Sequence, residues 1–267
     1  MILFKNRWIT VAETRFGPPL SVQFSQRYSS ATYPGIDVLY FLQSPEPVPG
    51  AQCEEAHTLL HALQRDPEIL FEDIHKTTRY EIQRAREKDH VTYECWRQPD
   101  FEKIADFCEF FSRFAGQKGI PKASANHLAT FAKQGSLALS QVRAESGEPL
   151  SWHVHLVEKG RSRLLNSASA RITDDNQFRN LVSRANRFHH WEDILSFREE
   201  GCHTYDFGGW YSGQTDPTRL QINQFKERFG GTPEKSYNCA LPLTWRGKSY
   251  LLLKKLARAI PKKGALK

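Results

Sequence analysis

The stretch HTYDFGGWYSGQTDPTRLQINQFKERFGG, residues 203–231, contains two glycine pairs that lie on either side of a helical pattern. Its first part predicts a strand that runs through Tyr205 and ends at Gly208 and Gly209. A strand of this kind would carry the carboxylate of Asp206 to the open end of a sheet, where ligands of α/β folds bind. Because the two glycines lack a Cβ, we expect their backbone N–H groups to face a developing oxyanion.

The second part of the stretch predicts a helix over 216–229 that Gly230 terminates. The apolar residues of this helix recur at the spacing of a buried face: Ile222, Phe225 and Phe229. Lys226 borders that face, so its aliphatic stem can pack in the core while its ammonium group reaches a cleft. Lys226 and Asp206 are therefore the candidate catalytic residues.

The elements before this stretch alternate between strands and helices. The pattern predicts a strand over 91–96, helices over 99–117 and 122–133, three antiparallel strands over 136–170, and a long helix over 176–200. Strands over 235–243 and 249–253 follow the stretch. This order resembles the GNAT acyltransferase fold, which implies an α/β sandwich around a mixed sheet flanked by helices.

Two motifs point to a more specific resemblance. The pairing of YDFGG (205–209) with FKERFGG (225–231) resembles the C-terminal signature of the Fem family. The basic segment HKTTRYEIQRARE (75–87) resembles the one that precedes that family's second GNAT-like lobe. Fem proteins are aminoacyl-tRNA-dependent transferases that build peptidoglycan cross-bridges, and relatives modify other envelope or small-molecule acceptors. The resemblance covers about residues 71–245.

This resemblance implies an acyltransferase that moves an aminoacyl group from aminoacyl-tRNA to an amine and forms an amide bond. The acceptor would be a cell-envelope precursor or small metabolite, nucleotide- or lipid-linked. Lys226 would stabilise the tetrahedral intermediate electrostatically. Asp206 would act as an orienting group or accept the proton of the acceptor amine. The expected substrate-binding residues are Tyr205, Gly208, Gly209, Trp210 and Phe225.

The basic segment is the expected site for phosphates of tRNA or of a nucleotide-linked acceptor. The residues that would bind them are Lys76, Arg79, Arg84 and Arg86. A solvated helix face, with Glu81 and Glu87 as ion partners, is the alternative.

The family is usually longer and carries two GNAT-like lobes, whereas only 90 residues precede Val91 here. Residues 1–70 are therefore expected to form a small, truncated first β/α lobe, and 71–267 the catalytic domain with a basic C-terminal tail. Within the first lobe we expect strands over 8–12, 20–28 and 35–43, a proline-rich linker over 44–50, and a helix from residue 54.

The donor can be argued from a missing motif. GNAT enzymes that use acetyl-CoA bind its pyrophosphate at a glycine-rich turn that opens the helix after the fourth strand. The corresponding stretch ASARITDDNQFRNLVSR (168–184) has no glycine, and its two aspartates, Asp174 and Asp175, would repel a pyrophosphate. We therefore expect no cofactor: acetyl-CoA is disfavoured, and aminoacyl-tRNA is the donor.

Two other functions stay open at this point. One is a GNAT-type N-acyltransferase that uses acyl-CoA or acyl carrier protein in envelope polysaccharide biosynthesis. The other is a non-catalytic GNAT-like binding module.

Composition restricts the partners and the compartment. The net charge of +7 favours an anionic partner. The sequence contains no run of 18 apolar residues, so we expect no membrane span, and its N-terminus does not resemble a signal peptide. Five scattered cysteines indicate reduced thiols, so we expect a cytoplasmic protein. The basic C-terminal tail suits tRNA or a membrane surface, with a docked helix as the alternative.

Histidine spacing gives one further hypothesis. His153 and His155 in SWHVHL point to one face of a strand, but no third ligand is evident, so we expect no metal site. His189, His190 and Trp191 on the long helix are expected to be packing and surface residues.

Overall fold

The structure, a computed structural model, describes residues 1–6, 9–16, 30–31, 33–170 and 175–259. The chain divides into two compact units. The first comprises Met1–His57 together with Lys235–Lys267, and the second comprises Thr58–Glu234. These boundaries differ from the expected division at residue 70, and residues 235–259, which were expected in the catalytic domain, belong to the first unit.

The second unit contains most of the elements. A long strand, β4 (Gln52–Ala62), enters it, and the elements that follow are α1 (Pro67–Glu72), α2 (Lys76–Glu87), β5 (Thr92–Arg97), α3 (Phe101–Lys118), α4 (Ala125–Ala132), β6 (Leu137–Arg143), β7 (Pro149–Glu158), β8 (Arg161–Ser169), α5 (Asn176–Glu199), β9 (Thr204–Gly209) and α6 (Pro217–Glu227). The strand order is β4-β9-β8-β7-β6-β5. The β8–β9 pair is parallel and the other pairs are antiparallel, so the expected mixed sheet is confirmed.

Helix α3 illustrates why these segments fold as the sequence predicts. The side chain of Asp100 accepts a hydrogen bond from Lys103 N at 2.8 Å and caps the helix start. Gly119 has φ +63° and ends the helix in the left-handed conformation that favours glycine. The buried residues recur every three or four positions: Ile104, Phe107, Phe111 and Ala115. Local capping and apolar spacing agree here, so the prediction for 99–117 is confirmed.

The main core of this unit lies on the sheet face that α2 and α5 cover. Side chains from strands and helices meet there, among them Leu59, Ile82, Ala138, Val182, Ile194 and Phe207. On the other face, α3 contributes Phe107, which packs against Trp152 of β7. The sheet is therefore covered on both faces, which is the sandwich that the element order predicts.

The first unit contains β1 (Ile2–Asn6), β2 (Ile9–Arg15), β3 (Val38–Ser44), the start of β4, β10 (Thr232–Pro242) and α7 (Trp245–Ala259). Its strand order is β1-β2-β3-β10-β4, with β2 and β3 parallel. A small core of its own contains Leu39, Phe41 and Cys239. The strand expected over 20–28 lies outside the described residues.

Two expected elements are wrong. The helix from residue 54 is strand β4, because Leu59, Leu60 and Leu63 also suit a strand that pairs with β9 in the sheet. The strand over 249–253 is part of α7, where Leu251 is buried while Leu252 and Leu253 are exposed. Short apolar runs do not distinguish helix from strand, and both errors fall on such runs.

The expectation of five reduced thiols is also wrong. Cys53 and Cys239 form a disulfide between β4 and β10 inside the first unit, across 186 positions of sequence. Cys95, Cys108 and Cys202 are free, and burial raises the pKa of each thiol. Spacing alone could not reveal the disulfide, since the pairing of strands distant in sequence brings the two residues together.

Among the residues that the structure describes, no helix has both the length and the apolar character that crossing a membrane requires.

Candidate active site

Strands β8 and β9 separate partway along their length. They pair in parallel only where Arg161–Arg163 lie beside Thr204–Asp206, although β8 continues to Ser169 and β9 to Gly209. Their backbone groups beyond these pairs are therefore outside the parallel ladder. A separation between adjacent parallel strands is where α/β sheets bind ligands.

A β-bulge lies on β8 at this separation. Leu164 is opposite His155 and Asn166 is opposite Val154, so Leu165 is the extra residue. A bulge leaves one residue out of the ladder and redirects the strand. Next to it is a cavity of about 440 Å³, which Leu165 and Asn166 line from the strand and residues of α3, α4 and their connection line from the helices. This volume is within the range of small-molecule sites.

Asp206 is fully buried and its carboxylate is saturated with donors. Oδ1 accepts from Gly208 N at 2.8 Å and from the hydroxyl of Thr58. Oδ2 accepts from Arg161 Nη2 at 2.5 Å and from Arg163 Nη1 at 3.4 Å. A carboxylate in two ion pairs does not serve as a free proton acceptor, so the geometry favours the orienting role of Asp206 over the basic one.

Gly208 fixes the shape of the strand end. It has φ +75°, and a Cβ built on it would lie 3.0 Å from Leu164 O. Its carbonyl accepts from Thr58 Oγ1 at 2.9 Å, and its N–H donates to Asp206. The expectation that the Gly208 N–H faces an oxyanion is therefore wrong, because that donor is already engaged.

Lys226 reaches the end of β9 from helix α6. Its Nζ donates to Gly209 O at 2.5 Å. Burial lowers the pKa of Lys226 to about 8, against the opposing effect of Asp206, while Arg163 lowers it further. An ammonium group that is half-buried at a strand end and has a lowered pKa is a candidate for electrostatic or acid–base chemistry.

The other expected substrate contacts divide into two groups. Tyr205 is fully buried, and its hydroxyl lies 3.1 Å from His155 Nε2 and 3.3 Å from His190 Nδ1, so it faces the core rather than a substrate. Trp210 and Phe225 are half-buried, and both pack against the same core. Ile222, which was expected in the buried face of α6, is 49% exposed.

The basic segment forms α2, and its expected phosphate-binding residues differ in their engagement. Lys76 and Arg84 are exposed, and Arg79 is half-buried with its Nη1 3.4 Å from Glu72 O. Arg86 is exposed but pairs with Glu192 Oε1 at 2.6 Å and stacks over Phe188. Arg86 is therefore less available to an anionic partner, because it pairs with residues of α5. The better placed residues are Lys76, Arg79 and Arg84.

The start of α5 is closed by a carboxylate. Asp175 is the N-cap residue, and its Oδ1 accepts from Gln177 N at 2.7 Å. Asp174 lies outside the described residues. A helix start that is capped by an aspartate repels a further anion at the same amides.

The histidines of β7 and α5 meet in the core, so the expectation of packing residues on α5 is confirmed and that of surface residues is wrong. His153, His155, His189 and Trp191 are buried, and His190 is 2% exposed. The helix also brings Asp193 to this cluster, which supplies further candidate ligands that the spacing of His153 and His155 did not reveal. Burial lowers the pKa of His155 to about 3 and holds the pKa values of His189 and His190 well below the ordinary value.

Three residues of the site were not predicted. Thr58, Arg161 and Arg163 surround Asp206, and each comes from a strand neighbouring β9. Arg161 and Arg163 are two residues apart on one strand and therefore lie on the same face, which was a usable signal for an anion beside that strand.

Comparison with known proteins identifies the family and the fold. Residues 73–226 match the acetyltransferase (GNAT) domain family. FemX has a similar structure, with a TM-score of 0.66 at 14% identity over 94% of this chain and 85% of that one. No curated protein matches the sequence significantly.

Two further solved structures share the fold. The C-terminal domain of a putative lysylphosphatidylglycerol synthetase from Agrobacterium fabrum has a TM-score of 0.54 at 13% identity, over 95% of this chain and 84% of that one. L-PGS from Bacillus licheniformis has a TM-score of 0.53 at 10% identity, over 96% and 85%. The GNAT-like fold is thereby confirmed, as is the resemblance to Fem-type structures at the level of the fold.

Proposed function

We propose, from the premise that this chain belongs to the acetyltransferase (GNAT) domain family, that it is an acyltransferase with an aminoacyl-tRNA donor. The reaction would transfer the aminoacyl group to an amine on a cell-envelope precursor or small metabolite and form an amide. Structures named FemX and lysylphosphatidylglycerol synthetase share the fold, and the latter name denotes an aminoacylated lipid, which supports aminoacyl transfer.

The observation that carries this choice of donor is the start of α5. Acyl-CoA enzymes of the GNAT type need free amides for a pyrophosphate at the start of the corresponding helix. Here the carboxylate of Asp175 occupies that helix start and bonds to Gln177 N. A donor whose phosphates bind elsewhere on the protein suits such a site better than CoA does.

The chemistry requires little covalent assistance. An aminoacyl ester is already activated, so the acceptor amine attacks the ester carbonyl carbon and forms a tetrahedral oxyanion. Collapse of this intermediate breaks the ester C–O bond and expels the ribose oxygen, which takes up the proton that the amine loses. Lys226 would stabilise the oxyanion electrostatically. Asp206 would hold Arg161, Arg163 and the Gly208 turn in position. The unpaired bulge at Leu165 offers a backbone group close to the same strand separation.

Donor selection is the direct test of this function. We expect the purified protein to bind charged tRNA and to transfer the labelled aminoacyl group to an amine, and we expect no heat of binding when acetyl-CoA is titrated into it. The physical reason is the repulsion between Asp175 and a pyrophosphate. Low-micromolar calorimetric binding of acetyl-CoA, or acetyl transfer without charged tRNA, would establish the CoA-dependent alternative instead.

The exposed cations of α2 provide a second test of tRNA as the partner. Lys76→Ala combined with Arg79→Ala should weaken tRNA binding, most strongly at low salt. Each phosphate contact releases counterions from the RNA when the complex forms, and the variant loses this favourable release at two positions. The slope of log affinity against log salt should become shallower by about 1 to 2. The matched control is Arg113→Ala with Lys118→Ala on α3, which removes the same charge from another exposed surface. Equal binding by both double variants would show that this face of α2 is only solvated.

A charged-tRNA donor places the proposed reaction in the cytoplasm, where tRNA is aminoacylated. The Cys53–Cys239 disulfide is unusual for that compartment.

A further inference from the structure

Four histidines and one aspartate form a fully enclosed cluster in the core of the second unit. His153 and His155 come from β7, and His189, His190 and Asp193 come from α5. The rings of His153 and His189 stack with centroids 3.6 Å apart, and His190 lies 4.4 Å from His153. The proposed transferase chemistry uses none of these groups.

The charge of Asp193 has no cationic side chain to balance it within the described part of the chain. Its ion partners there are all histidines, with His153 Nδ1 at 2.6 Å and His155 Nε2 at 3.6 Å from Oδ2. Asp206, the other fully buried carboxylate at the sheet, is paired with two arginines. An ionised carboxylate in an apolar interior requires a compensating positive charge.

Hydrogen bonds orient several of these groups while leaving other atoms unused. Tyr93 and Ser140 donate to Asp193 Oδ1 at 2.9 and 2.7 Å, and the hydroxyl of Tyr205 lies 3.3 Å from His190 Nδ1. The Nε2 of His153 has no hydrogen-bond partner, although it is fully buried. Outer hydrogen bonds of this kind fix the rings and carboxylates that ligate metals.

We propose that His153, His190 and Asp193 bind one divalent transition-metal ion inside the core. Each of the three offers a ligand atom, and these atoms lie within 4.8 Å of one another. Zinc bonds of about 2.0–2.2 Å place ligand atoms roughly 3.3 Å apart, so binding requires side-chain rotations that bring the more distant atoms closer. The same rotations must separate His153 Nδ1 from Asp193 Oδ2, which are 2.6 Å apart. The ion would provide the positive charge that Asp193 lacks.

Ligand type and burial identify the class of ion. Imidazole nitrogens with one carboxylate suit Zn²⁺ and exclude the hard cations Mg²⁺ and Ca²⁺, which prefer oxygen ligands. His189 is not a ligand, because its Nδ1 bonds to Ser151 Oγ at 2.7 Å and its Nε2 to Ser140 Oγ at 2.9 Å. The three ligands are enclosed in the core, where no substrate reaches them, and this suits a structural ion rather than a catalytic one. The ion would therefore link β7 to α5 and stabilise the fold.

The test uses the full chain without a histidine tag, purified without chelators. We expect elemental analysis to find close to one zinc ion per chain. Removing it with a strong chelator should lower the melting temperature, and adding Zn²⁺ back should restore it. Cobalt added to the apo protein should give the visible absorption of a tetrahedral site. These readouts are independent of transferase activity, so they can fail while the proposed function holds.

Variants assign the ligands. Asp193→Asn and His190→Gln should each lose zinc, whereas His57→Gln, a histidine of the first unit, should retain it. Full zinc content in the first two variants would overturn the assignment. Should they fail to fold, the wild-type protein still decides: absence of bound zinc, no cobalt spectrum and a melting temperature that chelator and zinc leave unchanged would show a purely hydrogen-bonded cluster.

Discussion

Replacing Lys226 by methionine should lower turnover by about a hundredfold or more, the scale for losing one oxyanion-stabilising group. The variant keeps the apolar stem and removes only the charge that reaches Gly209 O. Acceptor binding should change much less, because the charge that Lys226 meets develops only in the transition state. The measurements are turnover number, KM and melting temperature with charged tRNA as donor.

The control for this variant is Lys118→Met, which removes an exposed lysine from the end of α3. It should leave turnover unchanged. A Lys226→Met protein with normal melting temperature and near-normal turnover would remove Lys226 from the proposed mechanism.

The dependence of turnover on pH tests whether the charged form of Lys226 is the active one. Because burial lowers the pKa of Lys226 to about 8, its ammonium form is lost as the pH rises through that value. If the charged form is required, turnover should fall on the alkaline side near pH 8. In Lys226→Arg the charge persists to far higher pH, and that decline should disappear. Turnover that rises through pH 8 only in the wild type would instead identify Lys226 as a general base.

The largest stability effect should come from Asp206→Asn. This change keeps the shape of the side chain but leaves Arg161 and Arg163, both largely buried, without their anion. Removing one partner of a buried ion pair costs about 3 kcal/mol or more. Denaturant unfolding of the variant and the wild type measures this loss directly.

A double variant separates the ion pair from general disruption. Adding Arg161→Met to Asp206→Asn removes one of the two cations that face the lost carboxylate and should recover part of the lost stability, so that the two changes are not additive. A loss below about 1 kcal/mol in the single variant, the scale for exposed pairs, would contradict the buried ion network.

The sequence predicted those elements in which local signals agree with the tertiary structure. Helix α3 has its cap, its apolar spacing and its terminal glycine, and β6 to β8 have turns at Gly147 and Gly160. Strand β4 and helix α7 were mistaken because their leucine runs suit either structure, and packing decides between them. The spacing of apolar residues therefore predicts most of the GNAT element order, but it does not decide between helix and strand for β4 and α7.

The site was only partly predictable for a different reason. Lys226 and the end of β9 belong to one continuous stretch, so the sequence could indicate them together. The partners of Asp206 come from two other strands, and the ligands around Asp193 come from β7 and α5, about 40 positions apart. Such groups are joined by sheet order and helix docking, which no local pattern encodes.

The Cys53–Cys239 disulfide makes the second unit a covalently closed insertion. Both cysteines belong to the first unit, while all of Thr58–Glu234 lies in the chain between them. A protease that cuts any one loop of the second unit therefore produces two polypeptides that remain a single molecule. The nicked chain separates on a denaturing gel only after a thiol reductant breaks the bond.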